Sequence, residues 1–310
     1  MKSFLNIEFL FVKFPIILPI IYCFVLFQFP NYETYLIFFT ILLLAEPHFG
    51  ATWPFLLDKS NHSHIKENKI AFFFLPLILV IFCLIGFFVF NKIFYLIFFA
   101  INIYHVTRQS FGVSKLYSED KKDIDFQEKI IYLFNGLFFL VGYFRFFLNI
   151  NLDEYLFFIN YFFIVIFILS IISYVYLYKF NQNLFSFITG CIIFYPVCFV
   201  SNPVHVILLG VTMHFSQYLY LTNKIVLGRN SEKNTNNQTY KKLSYFIFIV
   251  IVYGIIMATF SLFGKFEEVS LKNLIIIPII GQMLHFYLDS QLWKFSLKHN
   301  RDNVLKYLMN

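Results

Sequence analysis

Charged residues are scarce in this chain, and their scarcity excludes a water-soluble protein. Lys, Arg, Asp and Glu make up 13% of the 310 residues, hydrophobic residues make up 59%, and the mean hydropathy is +0.72. Soluble domains carry about twice that share of charge. Apolar runs recur from Phe9 to Trp293, and each is long enough to cross a hydrocarbon core about 30 Å thick as a helix. We therefore predict that lipid is the main solvent of this chain.

Long hydrophilic segments, alternating apolar patterns and disulfide frameworks are also missing. The longest stretches between apolar runs, 114–129 and 223–242, are too short for a folded nucleic-acid-binding domain. The runs do not alternate in polarity with a period of two, which excludes strands. No small-residue cleavage site follows the first run, so we expect it to be a retained helix. The cysteines all lie inside apolar runs, where they behave as small hydrophobes: Cys23, Cys83, Cys191 and Cys198.

The apolar runs predict an all-α fold, a polytopic membrane helix bundle forming a single domain over 1–310. About ten transmembrane helices are expected. Nine is the alternative, because the seventh and eighth runs are separated only by residues 201–203. The predicted spans are 8–29, 34–57, 70–90, 92–113, 130–149, 154–178, 184–201, 203–222, 243–264 and 273–293.

The basic residues predict the orientation of these helices. With ten spans, 19 of the 24 Lys and Arg residues fall on the side that holds both termini, four fall on the other side, and Arg108 lies inside a helix. Cytoplasmic loops carry such an excess, so both termini are predicted to be cytoplasmic. The net charge of +7 is then explained by anionic headgroups. We expect the lipid bilayer as the partner, no nucleic acid, and a multi-pass protein of a bacterial cytoplasmic (inner) membrane.

Four histidines lie at matched depth in spans two, four, eight and ten. These even-numbered helices run in one direction under the predicted topology. His48, His105 and His214 each precede the first cytoplasmic charge by ten residues, and His285 does so by nine. At 1.5 Å per residue, each imidazole sits about 15 Å along its helix from that charge. Polar residues are costly inside a membrane, and four at one depth predict a shared metal site with these imidazoles as ligands.

Each of these histidines is followed, one helical turn later, by polar residues on the same face. A metal-bound imidazole usually donates its other N–H to such a group. Asp289 is predicted to orient an imidazole, and Glu46, beside Pro47, is predicted as a further ligand or base; both are assigned catalytic roles. The residues predicted to support the ligands or bind substrate are Thr52, Arg108, Gln109, Gln217 and Tyr218.

Other interpretations of these residues stay open. A single membrane histidine is more often a hydrogen-bonded packing residue than a ligand. Arg108 either extends toward the headgroups or meets an anionic group. The remaining histidines are not assigned to the site, because three lie in predicted cytoplasmic segments and one near the outer end of span eight: His62, His64, His299 and His205.

The donor set indicates the metal and the chemistry. Neutral imidazoles with at most one carboxylate and an open position are compatible with non-haem Fe(II) that activates dioxygen. Zinc with hydrolytic chemistry is the alternative. A site within hydrocarbon meets lipids and isoprenoids more readily than water-soluble molecules, and dioxygen partitions into lipid. We therefore favour a membrane oxygenase whose partners are dioxygen and a hydrophobic small molecule.

The motifs also carry a family resemblance. Pro47-His48-x-Gly50, Tyr104-His105 and the later His214 resemble the Brp/Blh group of bacterial and archaeal membrane proteins. That resemblance implies dioxygen-dependent cleavage of β-carotene to retinal. The chain departs from the family at Tyr218, where a second histidine is expected, and His285 with Asp289 stands in for it. The segment from His285 to Lys294 also looks like a motif of uncharacterised bacterial multi-pass membrane proteins, while the paired-histidine boxes of membrane desaturases are absent.

Two other functions explain part of the pattern. An ion- or proton-coupled transporter would use the intramembrane His, Glu, Arg and Asp residues as a polar pathway, and it predicts polar residues that continue to both faces. A non-catalytic assembly protein would need the helices but not histidines at matched depth.

Overall fold

The computed structural model describes residues 6–118, 120–231, 236–264 and 268–309. These residues are helical apart from short turns and connections, and none of them lies in a strand. The predicted all-α fold class is confirmed for this part of the chain.

Ten principal helices, together with shorter helical turns, organise the described residues. They are α1 Ile17–Gln28, α2 Pro30–Leu56, α3 Ile70–Val89, α4 Asn91–Tyr117, α5 Lys121–Phe147, α6 Leu156–Tyr178, α7 Asn183–Ile192, α8 Pro203–Ser231, α9 Asn236–Phe263 and α10 Ile276–Leu292. Each of the ten predicted spans overlaps one of these helices. The shorter turns include Phe9–Lys13, His62–Glu67, Tyr195–Cys198 and Lys298–Asn300.

Local residues explain where several helices begin and end. Asp120 accepts a hydrogen bond from the Lys122 amide and caps the start of α5, which satisfies a donor that the first turn leaves open. Asn202 caps α8 in the same way by accepting from the Val204 amide at 2.9 Å, and Pro203 occupies the first helical position. α6 ends where Lys179 adopts a φ of 62°, which cannot continue a right-handed helix.

Six helices in the described residues are long and apolar enough to cross a membrane: α2, α3, α5, α6, α8 and the part of α9 from Lys242 to Phe263. Their surfaces fit a lipid solvent. Only 11% of the most apolar window of α6 is buried, so large side chains such as Phe157 and Tyr161 are exposed. Exposed apolar surface on this scale is not stable in water. The helices therefore indicate a membrane protein with several passes.

The helices form two compact units. The first comprises 1–37 and 100–217, and the second comprises 38–99 and 218–310. In the first unit α5 packs against α7, and in the second α2 packs against α9 and α10 packs against α3. The prediction of one domain stays a prediction.

Several helix bounds differ from the predicted spans. α5 begins nine residues before the predicted start at 130, and α8 continues to Ser231, beyond the predicted end at 222. Polar residues such as Asp123 and Gln127 extend α5 because their side chains bond to each other and to Ser118. The seventh span is a short helix followed by the turn Tyr195–Cys198, because Pro196 cannot continue the α-helical hydrogen bonds. Part of the predicted loop 223–242 is helical, and its residues 232–235 lie outside the described chain.

Candidate metal-ligand site

The helical hydrogen-bond pattern of α2 changes just before His48. A π-helical turn covers Ile41–Ala45, and regular α-helix resumes at Glu46 with Pro47 in its first turn. Proline has no backbone N–H and clashes with the preceding turn of a regular helix, so a wider turn accommodates it. Gly254 of α9 leaves room for the proline ring, since a Cβ atom there would lie 3.1 Å from Pro47 Cγ. Pro47 therefore packs against Gly254 where the α-helical part of α2 that carries His48 begins.

The second unit gathers five of the predicted residues into one buried group. His48 and Thr52 of α2, Tyr218 of α8, and His285 and Asp289 of α10 are each at most 3% exposed. We call these five residues the Asp289 cluster. The Tyr218 hydroxyl donates to Asp289 Oδ1 at 2.6 Å, and the Thr52 hydroxyl donates to the same oxygen at 3.1 Å. Hydroxyl donors of this kind stabilise a carboxylate that water cannot reach.

Thr52 also contacts the ring of His285. The Thr52 hydroxyl lies 2.6 Å from His285 Nδ1. The other ring nitrogen, Nε2, is 3.7 Å from Asp289 Oδ2. Such an imidazole, held by a hydroxyl and a carboxylate, has the arrangement that supports a metal ligand.

Aromatic rings surround the imidazoles of the Asp289 cluster. The centroids of His48 and His285 are 4.4 Å apart, and that of Tyr218 lies 4.5 Å from His48. Phe49 packs edge-on against His285 at 5.1 Å. This environment excludes water, favours neutral imidazoles, and suits a metal that takes nitrogen donors.

The first unit pairs the other two histidines. His105 of α4 and His214 of α8 are 7% and 1% exposed, and their rings meet edge to face with centroids 5.7 Å apart. The two residues are far apart in sequence, and they meet because α4 and α8 pack together there.

The position of His214 is set by contacts on both sides of it along α8. A Cβ atom at Gly210, one turn earlier, would overlap the Ile193 carbonyl oxygen, so only glycine permits this approach. Two and three residues after His214, Ser216 donates to the Phe11 carbonyl and Gln217 donates to the Val12 carbonyl at 2.7 Å. These carbonyls belong to the turn Phe9–Lys13. The Gln217 amide therefore anchors the N-terminal turn.

The remaining predicted residues lie elsewhere. Glu46 is buried on α2, but it lies about 200° around the helix from His48, given 3.6 residues per turn. Arg108 is exposed on α4 and interacts electrostatically with Tyr132. Gln109 is half-buried. Each unit by itself thus brings together two of the four histidines, and Thr52, Tyr218 and Asp289 join the pair in the second unit.

His205 has polar partners that the sequence did not indicate. The Tyr22 hydroxyl lies 2.7 Å from His205 Nδ1, and Glu33 Oε2 lies 3.6 Å from Nε2. Tyr22 and His205 are buried, while the Glu33 side chain is 50% exposed. The three residues are far apart in sequence. The only sequence feature that pointed to this group was His205 itself, a histidine in the first turn of the apolar helix α8.

Two histidines outside the principal helices stack on each other. The rings of His64 and His299 are nearly parallel with centroids 4.3 Å apart. Asn61 Oδ1 accepts from His299 Nε2 at 2.9 Å, which leaves Nδ1 to accept from the Asn303 amide at 3.2 Å. Burial lowers the pKa of His299, and the neighbouring His64 lowers it further. Burial also lowers the pKa of His64, against a smaller opposite effect of Glu67.

Comparison with family models, with curated proteins and with solved structures finds no match to this chain.

Proposed function

We propose that this protein is a membrane-embedded, metal-dependent oxygenase that acts on a lipid or isoprenoid substrate, including carotenoids. His48, His105, His214 and His285 are its metal ligands. The observation that carries the proposal is the pairing of these histidines within each unit, with ring centroids 4.4 Å apart for His48 and His285 and 5.7 Å apart for His105 and His214. Their matched depth in the sequence supports one ion shared by both pairs.

The chemistry of the donors fits Fe(II), with Zn as the alternative. All four imidazoles are buried, and the Thr52 hydroxyl contacts both His285 Nδ1 and Asp289. A bound Fe(II) ion would supply dioxygen activation. The chain's own contribution is to hold the ligands, to exclude water, and to keep a carboxylate, Asp289, beside His285.

The surroundings of the site support the proposed substrate class. Phe49 contacts both His48 and His285, and Phe286 packs against Phe49. Such walls bind apolar molecules and provide few polar contacts. The Brp/Blh resemblance makes β-carotene the first carotenoid to test.

We further propose ten spans with both termini in the cytoplasm of a bacterial cell. The excess of Lys and Arg in the even-to-odd loops supports this topology. The segments that hold His62–Glu67 and Lys298–Asn300 then both face the cytoplasm.

Metal analysis of protein purified without oxygen tests the proposal. We expect one Fe per chain in the wild type and a large loss in His105→Ala. His62→Ala is the matched control, because His62 is an exposed residue of the short helical turn His62–Glu67 and its ring contacts the Leu57 carbonyl. A wild type without stoichiometric metal, or full occupancy in His105→Ala, contradicts the proposal.

Expression in a carotene-accumulating host tests the carotenoid version. Loss of colour and formation of retinal are expected in the wild type and not in His105→Ala. Undiminished colour without retinal would exclude β-carotene and leave other lipids as substrates.

A proton-coupled transporter is the second candidate, and the Tyr22, His205 and Glu33 contacts favour it. They form a polar path from an exposed carboxylate to a buried phenol in the first unit. Glu33→Gln would then abolish proton-coupled uptake in vesicles, whereas the oxygenase proposal predicts no effect on metal content.

A further inference from the structure

A groove of about 370 Å³ lies along one face of α5 in the first unit. The residues that line it are Asp125, Glu128, Lys129 and Tyr132. Their spacing of three, one and three residues places them on the same side of the helix. The three charged residues are exposed, and Tyr132 is half-buried. A groove of this volume has room for a small ligand or for the headgroup of a lipid.

Arg108 of α4 lies beside this groove. Tyr104 and Phe111, one turn before and one turn after Arg108, both contact Tyr132, with ring centroids 6.4 Å and 6.2 Å apart. Arg108 and Glu128 both interact electrostatically with Tyr132. Arg108 therefore approaches the groove at Tyr132.

The guanidinium group of Arg108 needs a partner from outside the chain. Arg108 is exposed, and its side chain forms no hydrogen bond or ion pair with the other described residues. It precedes Lys115, the next charged residue of α4, by seven residues or about 10 Å. An unpaired cation at this depth is costly in hydrocarbon. Guanidinium groups bind phosphate with two parallel hydrogen bonds, and lipid phosphates are the anions that the edge of a bilayer offers.

The charges around the groove follow a fixed order along α5. Glu128 and Asp125 lie four and seven residues before Tyr132, about 6 Å and 10 Å nearer the start of the helix. The cation beside Tyr132 is thus deeper in the membrane than the two carboxylates. Arg108 and Lys129 balance Asp125 and Glu128 in formal charge. The arrangement complements a zwitterion whose phosphate lies deeper than its ammonium group.

We propose that this groove binds the phosphoethanolamine headgroup of a phospholipid. Arg108 and the Tyr132 hydroxyl donate to the phosphate, and Glu128 and Asp125 accept from the ammonium group. A headgroup that carries only a phosphate would leave both carboxylates unpaired beside an anion. Ionised carboxylates only accept hydrogen bonds, and a trimethylammonium group has no N–H to donate, so ethanolamine is favoured over choline.

The same face of α5 continues as an apolar surface for the acyl chains. Leu133 and Leu140 are 49% and 46% exposed, and nothing lies within 4 Å of a Cβ atom at Gly136 between them. The three residues are spaced by three and four positions, and they follow Tyr132 away from the carboxylates. Acyl chains that run from the phosphate toward the membrane centre lie along this surface.

This inference goes beyond the proposed oxygenase, because the groove needs neither metal nor turnover. Native mass spectrometry of the solubilised full chain measures the binding of dioleoyl phospholipids with ethanolamine, glycerol or choline headgroups. We expect the ethanolamine lipid to bind about tenfold more tightly than the other two, the effect of one charge-assisted hydrogen bond. Equal affinity for the three lipids would overturn the proposal.

Arg108→Gln removes the main partner of the phosphate and should weaken binding of the ethanolamine lipid about tenfold or more. Lys92→Gln is the matched control, because Lys92 is an exposed cation at the opposite end of α4. It should bind this lipid as the wild type does. Unchanged binding in Arg108→Gln contradicts the assignment of the phosphate to the groove.

Glu128→Gln distinguishes a zwitterionic headgroup from an anionic one. Loss of the carboxylate should weaken binding of the ethanolamine lipid and strengthen binding of the glycerol lipid, so that the preference between them disappears. Glu154→Gln, a change of an exposed carboxylate outside the groove, should keep the wild-type preference. A preference that persists in Glu128→Gln would overturn the proposal. So would displacement of the lipid by an equal concentration of soluble phosphoethanolamine, because the ligand would then be a free phosphate ester.

Discussion

The hydroxyl group of Thr52 links three members of the Asp289 cluster. It lies 3.1 Å from Asp289 Oδ1, 2.8 Å from the Tyr218 hydroxyl and 2.6 Å from His285 Nδ1. A small β-branched side chain without charge therefore holds one carboxylate and orients one imidazole.

Thr52→Val removes this hydroxyl at nearly constant volume. We expect a loss of about 1–3 kcal/mol in stability, because buried donors and acceptors lose their partner. Metal affinity should fall about 10–100-fold, as is usual when a residue that orients a ligand is removed. Thermal unfolding and metal competition with a chelator measure the two effects.

Thr259→Val is the control for this substitution. Thr259 is exposed on α9 and donates to the Ile255 carbonyl of its own helix. The stability and the metal affinity of Thr259→Val should stay close to those of the wild type. Equal metal affinity in Thr52→Val and the wild type would show that Thr52 does not orient a ligand.

The sequence predicted which residues form the Asp289 cluster better than it predicted which of them are hydrogen-bonded to each other. Helical spacing predicts a layer of polar residues, one turn after each histidine, that can supply partners for the imidazoles, without assigning each polar residue to a particular histidine. Asp289 does lie beside His285 in this way, but Thr52 bonds to His285 of another helix and not to His48. Gln217 reaches the Val12 carbonyl. Helical spacing fixes the face of a residue, whereas its partner depends on which helix packs there.

At the scale of elements, close packing between helices sets the position of each histidine. Gly210 lets α8 approach the end of α7, one turn before His214. No feature of the sequence distinguishes Gly210 from the other glycines of the chain, because the constraint is the carbonyl oxygen of Ile193.

Gly210→Ala should destabilise the protein by about 1–3 kcal/mol or more, because the added methyl group overlaps a backbone atom that cannot rotate away. Thermal unfolding in detergent measures the loss. Gly112→Ala is the control on α4, since nothing lies within 4 Å of a Cβ atom there. It should stabilise the helix by about 0.5–1 kcal/mol. A Gly210→Ala variant as stable as Gly112→Ala would contradict the packing described here.

Helix positions were largely predictable, because long apolar runs need lipid and a regular hydrogen-bonded backbone. The π-helical turns were not. The turn Ile41–Ala45 accommodates Pro47, and apolar composition does not distinguish a π turn from an α turn. The extended ends of α5 and α8 were missed because polar residues there bond within the protein.

At the scale of the whole molecule, the segment after α10 provides a pH-dependent contact. His299 is hydrogen-bonded to Asn61 and Asn303, and the ring of His64 stacks on that of His299. Arg229 lowers the pKa of His299, while Asp302 and Glu67 oppose that effect. Because burial keeps both pKa values below the unfolded value of about 6.5, the folded segment binds fewer protons than the unfolded one.

The stability of this segment should therefore be unaffected at neutral pH and should fall as the pH drops below about 6.5. Hydrogen exchange of residues 298–309 is expected to be faster at about pH 5.5 than at about pH 7.5, after correction for the intrinsic rate. His299→Gln should reduce this pH dependence. A protection that stays constant over the range would show that the stacked pair does not hold the segment.

The central claim is that four of the eight histidines hold one metal ion. The most direct measurement is the metal content of all eight single His→Ala variants, purified in parallel. The account predicts that His48→Ala, His105→Ala, His214→Ala and His285→Ala lose the metal, and that His62→Ala, His64→Ala, His205→Ala and His299→Ala retain it. Full occupancy in any of the first four variants would contradict the claim.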